Sequence, residues 1–320
     1  MQYLKRIGCL LLLVVLFCAV LVPPVHWAIG KLVDHVPALG DRDRYTVDRV
    51  MSRMIVVVVL LSLVLRPVYF GVLPPGRVGL SPTRWRWMVL GLTGVVTVLV
   101  LLLWAVPLLA AGLWSVRPGG EVKRIAYRIG KALLSGLIVA FIEEYFFRGV
   151  VLQSLISQKG ARRAVVYSSI VFSALHFMEA KGHLQVSGFD PLSGFKAIGL
   201  FFASQGEDPL RVAAKAVGLF LAGTVLSLAF LWKRHLYVSI GMHAGWVFFT
   251  KIRGDLFLKA KDISPKWVWG GNRLIDGMYW WIPILAGLVV FLVVLRKRRN
   301  LTPTRAPGHP RRDGFPFSRE

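Results

Sequence analysis

The sequence predicts an all-α protein, a polytopic membrane bundle of about eight transmembrane helices. Three observations predict it. Of the 320 residues, 55% are hydrophobic, against ~45–50% apolar in soluble domains even with Gly counted. The apolar residues are bunched into runs of about 20, the length a helix needs to cross a bilayer. The basic residues lie between those runs and in a C-terminal tail, the distribution of inner-leaflet loops facing anionic lipid. A formal charge of +24 therefore points to membrane partners and not to nucleic acid.

The spans fall in order at 8–29, 51–73, 87–115, 130–154, 163–179, 212–232, 236–252 and 277–296. The first follows M-Q-Y-L-K-R, a start that resembles a signal peptide. No A-x-A-like cleavage site follows it, so it reads as an uncleaved span. The fifth and seventh are short. Segment 195–203 is apolar but too short to span, which suits a re-entrant or interfacial helix. The tail from Asn300 has no apolar period and reads as disordered. No internal repeat is visible. The chain thus divides into N-terminal transmembrane helices at 1–129, a core at 130–252, a loop with the last helix at 253–299, and a basic tail at 300–320.

Charge sets the orientation. The loops at 74–86, 155–162 and 233–235 contain Arg77, Arg84, Arg86, Lys159, Lys233 and Arg234 and no acid. Lys5 and Arg6 precede the first span, and Arg296, Lys297, Arg298 and Arg299 follow the last. The alternate loops mix basic residues with acids. Lys and Arg accumulate on the cytoplasmic side, so both termini are read as cytoplasmic, although Arg117, Lys123, Arg124 and Arg128 crowd a loop assigned to the outside. The pattern suits a bacterial inner membrane. Cys9 and Cys18 both lie in the first span, which excludes a thiolate zinc site and argues against a structural disulfide.

Ionisable residues inside the spans are costly and mark function. The core has three sets: Glu143, Glu144 and Arg148 in F-I-E-E-Y-F-F-R-G, His176 in V-F-S-A-L-H-F, and His243 in G-M-H-A-G-W-V. On an α-helix, Glu144 and Arg148 at i and i+4 share a face and can pair. Glu143 points about 100° away and is left to face another helix. A carboxylate in a low-dielectric site with a histidine across from it has the chemistry of a general base for water. Gly241, Ala244 and Gly245 flank His243 and permit close helix approach. A second pattern, H-F-M-E-A-K-G-H, places His176, Glu179 and His183 on one helical face as metal ligands, but Gly182 suggests that the helix is ending there.

These motifs resemble those of the CPBP family, which comprises CAAX-processing endopeptidases, bacteriocin-processing and self-immunity proteins, and related bacterial intramembrane proteases. The family pattern is E-E-x-x-x-R, then F-x-x-x-H, then H-x-x-x-N or H-x-x-x-D, on successive membrane helices. The resemblance covers about residues 130–250. It implies that Glu143 is the base that activates water and that His176 shares that water. It implies that Glu144 and Arg148 support the base and that His243 helps bind the oxyanion. One position departs: the expected Asn or Asp is Val247, which neither donates nor ligates. The loss of an oxyanion donor elsewhere costs ~2.7–4 kcal/mol, so the site is either completed by another group or impaired.

Several classes compete. The chain has no H-E-x-x-H, no G-x-S-G and no aspartate within a span, which disfavours the zinc site-2, serine and aspartyl types of intramembrane protease. Glu143, His176 and His243 are ligand types that zinc accepts; metal-free, glutamate-activated water is the favoured reading, with no cofactor. A transporter relaying protons through Glu143 and the histidines is disfavoured by the lack of an inverted repeat and of paired broken helices. A catalytically impaired family member acting as scaffold or immunity factor is kept alive by Val247. The expected substrate is a membrane-associated or exported protein or peptide.

Overall fold

A computed structural model describes residues 2–36, 38, 41, 45–64, 79–119, 122–176, 184–186, 188–203, 208–260, 263–270, 275 and 277–301. Among them, all secondary structure is helical apart from two three-residue strands. The elements are α1 (Gln2–His35), α2 (Val47–Val64), α3 (Arg84–Ala110), β1 (Trp114–Val116), α4 (Val122–Glu144), a π-helical segment (Tyr145–Leu152), α5 (Gln153–Leu175), α6 (Ser193–Ala203), α7 (Pro209–Lys233), α8 (Tyr237–Leu256), β2 (Phe257–Lys259), α9 (Lys266–Trp269), a 3₁₀ turn (Met278–Trp280) and α10 (Trp281–Leu301).

Among the described residues, five helical stretches are long and apolar enough to cross a membrane: Leu12–His35, Arg84–Ala110, Val122–Leu175, Pro209–Lys233 and Met278–Lys297. All eight predicted segments contain helix, but the count of eight spans is not reached by these criteria. α2 is described for only 18 residues, and the rest of its predicted span lies outside the described residues. α8 carries His243, Lys251, Arg253 and Asp255 along 20 residues, which dilutes its hydropathy.

The fourth and fifth predicted spans differ most from expectation. The basic stretch 155–162 is not a loop. Helix runs from Val122 to Leu175, broken only where Gly160 adopts φ 73°, ψ 160°. A residue with no Cβ takes that left-handed φ without steric cost, so a single residue makes the kink that a loop was expected to make. Segment 195–203 forms α6, 11 residues long and too short to span, as predicted.

The chain forms two compact units. The first contains 1–72, 146–223 and 259–281. Its core packs Val14, Cys18, Ala19 and Val22 of α1 against Val47 and Met51 of α2 and Ala197 of α6. The second contains 73–145, 224–258 and 282–320. Here α8 packs against both α3 and α4. Leu92, Val95, Leu99, Leu103 and Val106 of α3 are exposed. An apolar helix with so bare a face has its partner in lipid and not in water.

Small residues draw the three helices of the second unit together. A Cβ on Gly245 would stand 2.6 Å from the Gly94 carbonyl oxygen, and one on Gly241 would collide with Leu90 O and Thr93 Oγ1. These two glycines, one turn apart, let the α3 and α8 backbones touch. His243 lies two residues from each, about 200° around the helix, and so points away from α3.

Candidate active site

The position of Glu144 follows from a stripe of small residues. Ala132, Gly136, Ala140 and Glu144 recur every four residues along α4, and all are buried. The stripe faces α8: a Cβ on Gly136 would lie 3.1 Å from Ala244 O. Glu144 is the last member of that stripe and has no solvent exposure. His243, turned away from α3, meets it: His243 Nδ1 donates to Glu144 Oε1 at 2.9 Å. Glu143, one residue earlier and 100° around the helix, keeps 27% of its side chain exposed, with Oε2 3.8 Å from His243 Nε2. One imidazole therefore stands between two carboxylates, one fully buried and one partly exposed. The sequence prediction placed Glu144 with Arg148 and did not foresee its bond to His243.

Arg148 and His176 belong to the first unit. Arg148 has no solvent exposure. It lies in the π-helical segment Tyr145–Leu152; π segments recur at functional sites. Its Nη2 donates to Gly223 O of α7 at 3.0 Å, and its guanidinium stacks over Phe172 at 4.8 Å and Phe147 at 5.7 Å. Desolvated cation–π contacts of this kind contribute about 2 kcal/mol.

His176 caps the C-terminal end of α5. Its Nδ1 lies 2.8 Å from Phe172 O. A carbonyl only accepts, so Nδ1 carries the proton, and in the neutral ring Nε2 is then the acceptor. Two α7 residues that the sequence reading passed over hold this end of α5. Ser173 Oγ donates to Ala216 O at 3.0 Å, and Lys215 Nζ donates to the His176 carbonyl at 3.2 Å. Lys215 is 4% exposed. The available signal was its setting, A-A-K-A, since small neighbours let α7 pack too closely for the lysine to escape.

Val247 lies one turn after His243 on α8 and is half-buried. Ser239, one turn before His243, is buried, and its hydroxyl donates to Leu236 O at 3.1 Å. Glu179 and His183 of the second pattern lie outside the described residues. Among the described residues, no three His, Cys, Asp or Glu side chains are grouped so as to hold a metal ion.

Long apolar helices carrying a buried carboxylate–histidine pair make this a multi-pass integral membrane protein with a polar intramembrane centre. Residues 126–249 match the family model described as Rce1-like, Type II CAAX prenyl endopeptidase. That stretch is a domain of this CAAX prenyl endopeptidase family, a family of peptidases, and a peptidase acts on protein or peptide. The match includes all three predicted motifs. No curated protein and no solved structure matches the chain.

Proposed function

We propose that the protein is an intramembrane endopeptidase that hydrolyses a peptide bond of a membrane-associated or exported protein or peptide, using water activated by Glu143. The observation that carries this reading is His243 standing between sealed Glu144 and half-open Glu143. Of the two carboxylates, only Glu143 has the exposure to meet water.

Glu143 takes a proton from water as the oxygen attacks the scissile carbonyl carbon. His176, with its lone pair on Nε2, shares that water. The carbonyl oxygen gains negative charge and needs a donor. His243 supplies one through Nε2–H when it is an imidazolium whose Nδ1–H is held by Glu144, as buried carboxylates hold imidazolium in hydrolase triads. The proton on Glu143 then passes to the leaving amine, so no net proton is consumed in bond breaking. Arg148 keeps the π-helical segment next to Glu143 and Glu144 in place. No step requires a metal.

The helix termini of the second unit bear on the membrane side. Tyr237 and Trp87 pack edge to face at 5.2 Å, beside the basic turn Lys233–Arg234. His243 is six residues beyond Tyr237, about 9 Å along α8. With basic ends facing the cytoplasm, this reading puts both termini in the cytoplasm, takes the chain through the bilayer eight times, and opens the reaction centre nearer the cytoplasmic leaflet of a bacterial inner membrane.

The test is cleavage of a panel of internally quenched lipid-anchored peptides, prenylated and unprenylated, by purified protein and by Glu143→Gln. Cleavage that disappears with Glu143→Gln supports the reading. Equal turnover by both proteins overturns it. Val247 favours a second reading, an impaired family member acting as scaffold or immunity factor; it predicts that no peptide is cleaved by either protein.

A further inference from the structure

A lysine buried at 4% exposure inside a membrane helix is costly unless it is satisfied. Lys215 has a specific use for its charge. The last carbonyls of any helix lack intrahelical partners and carry the negative end of the helix dipole. The carbonyl of His176 is such a group, and Lys215 Nζ lies 3.2 Å from it. The residue next to Lys215 takes part as well: Ala216 O accepts from Ser173 Oγ at 3.0 Å. Consecutive residues of α7 thus fasten both ends of one α5 turn, Ser173–His176.

That turn fixes the His176 ring. The bond from Nδ1 to Phe172 O at 2.8 Å exists only while residues 172–176 stay helical. The ring also packs on Phe172, centroids 4.3 Å apart. A helix end with an orphaned buried carbonyl frays. Fraying here breaks the Nδ1 bond and releases the ring to both tautomers.

We propose that Lys215 is a positioning residue for His176: its ammonium caps α5, keeps the Phe172–His176 turn helical, and thereby holds the imidazole in one orientation and one tautomer. Its catalytic consequence rests on the role given to His176 above. Its structural consequence does not.

The experiment uses full-length protein in detergent. Lys215→Met keeps the stem and removes the donor, Lys215→Arg keeps a cationic donor, and Glu143→Gln reports on the reaction itself. The first readout is the ¹⁵N spectrum of histidine-labelled protein, with the His176 signal assigned from His176→Gln. Wild type and Lys215→Arg should show His176 protonated on Nδ1, and Lys215→Met should show averaged tautomers. The second readout is turnover on the fastest-cleaved peptide of the panel. Misplacing a reacting group by about 1 Å costs on the order of 100-fold, so kcat should fall by about that much in Lys215→Met with KM little changed, and Lys215→Arg should restore most of it. A lower melting temperature in Lys215→Met with an unchanged His176 spectrum would show a merely structural lysine and overturn the proposal. An altered His176 spectrum alongside full turnover by Glu143→Gln would retain the positioning role and remove the hydrolytic reading instead.

Discussion

His243 Nδ1 lies 2.9 Å from Oε1 of Glu144, a carboxylate without solvent exposure, while His243 Nε2 faces Glu143 at 3.8 Å. The two adjacent glutamates therefore have different environments, and on the proposed mechanism matched substitutions separate their roles. Glu143→Gln should abolish cleavage with normal membrane insertion and melting temperature, because only the base is lost. Glu144→Gln should lower kcat by about 100-fold or more, since it weakens the donor held over the developing oxyanion. Comparable turnover by wild type and Glu143→Gln would assign the base elsewhere.

Much of this centre was legible in the sequence because helix geometry is periodic. The 100° step between Glu143 and Glu144 goes with their different exposure, 27% for Glu143 and none for Glu144. The A-x-x-x-G-x-x-x-A-x-x-x-E stripe from Ala132 to Glu144 was equally readable and shows which glutamate is sealed. Other features depend on tertiary packing. Nothing local marks Tyr145–Leu152 as π-helical. Gly160 kinks a continuous helix where charge alone suggested a loop. Lys215 was not singled out because its acceptor, a carbonyl of another helix, cannot be seen in a one-dimensional pattern.

Arg148 is predicted to be a stability residue. Arg148→Ala removes a charged hydrogen bond to Gly223 O and the stack on Phe172, together worth about 3 kcal/mol. Its melting temperature in detergent should fall clearly below that of Glu143→Gln. Identical melting curves for the two variants would show that the guanidinium contributes little to the fold.

Metal removal separates water activated by glutamate from water activated by zinc. Exhaustive treatment with 1,10-phenanthroline should leave turnover intact, and intact-protein mass spectrometry should find no stoichiometric zinc. Reversible inhibition, with activity restored by about one zinc per chain, would overturn glutamate-only activation.

His235, in the turn between α7 and α8, gives a pH dependence. It is 7% exposed, and burial, Arg86 and Lys233 push its pKa down to about 4 from 6.5. The unfolded chain therefore takes up this proton first as pH falls. The neutral ring's contribution to stability is complete above about pH 6.5 and is lost as pH drops toward about 4. Its size is about 2 kcal/mol once screening at this water-facing turn is allowed for. Melting temperature should fall more steeply from pH 7 to pH 4.5 in wild type than in His235→Gln, and parallel curves would contradict the assignment.

Val247 is the last test, because it decides between a substituted and a defective oxyanion site. It sits one turn after His243, on the same face, where the resembled family carries Asn or Asp. Three groups are candidates for the missing donor: the Trp246 indole N–H, the Ser239 hydroxyl, and a backbone amide near Gly245. Ser239 is the weakest of them, since its proton is already given to Leu236 O at 3.1 Å. Gly245 is pressed against Gly94 O, so its backbone has little room to turn toward a substrate. That leaves the Trp246 indole as the favoured substitute. Ser239→Ala should then leave turnover nearly unchanged, Trp246→Phe should cost about 10²-fold, the scale of one lost oxyanion donor, and His243→Ala should abolish cleavage. Val247→Asn should change the rate little or lower it by crowding. A large gain of activity in Val247→Asn would show that the native site lacks a donor, and the substitution hypothesis would give way to the impaired-member reading.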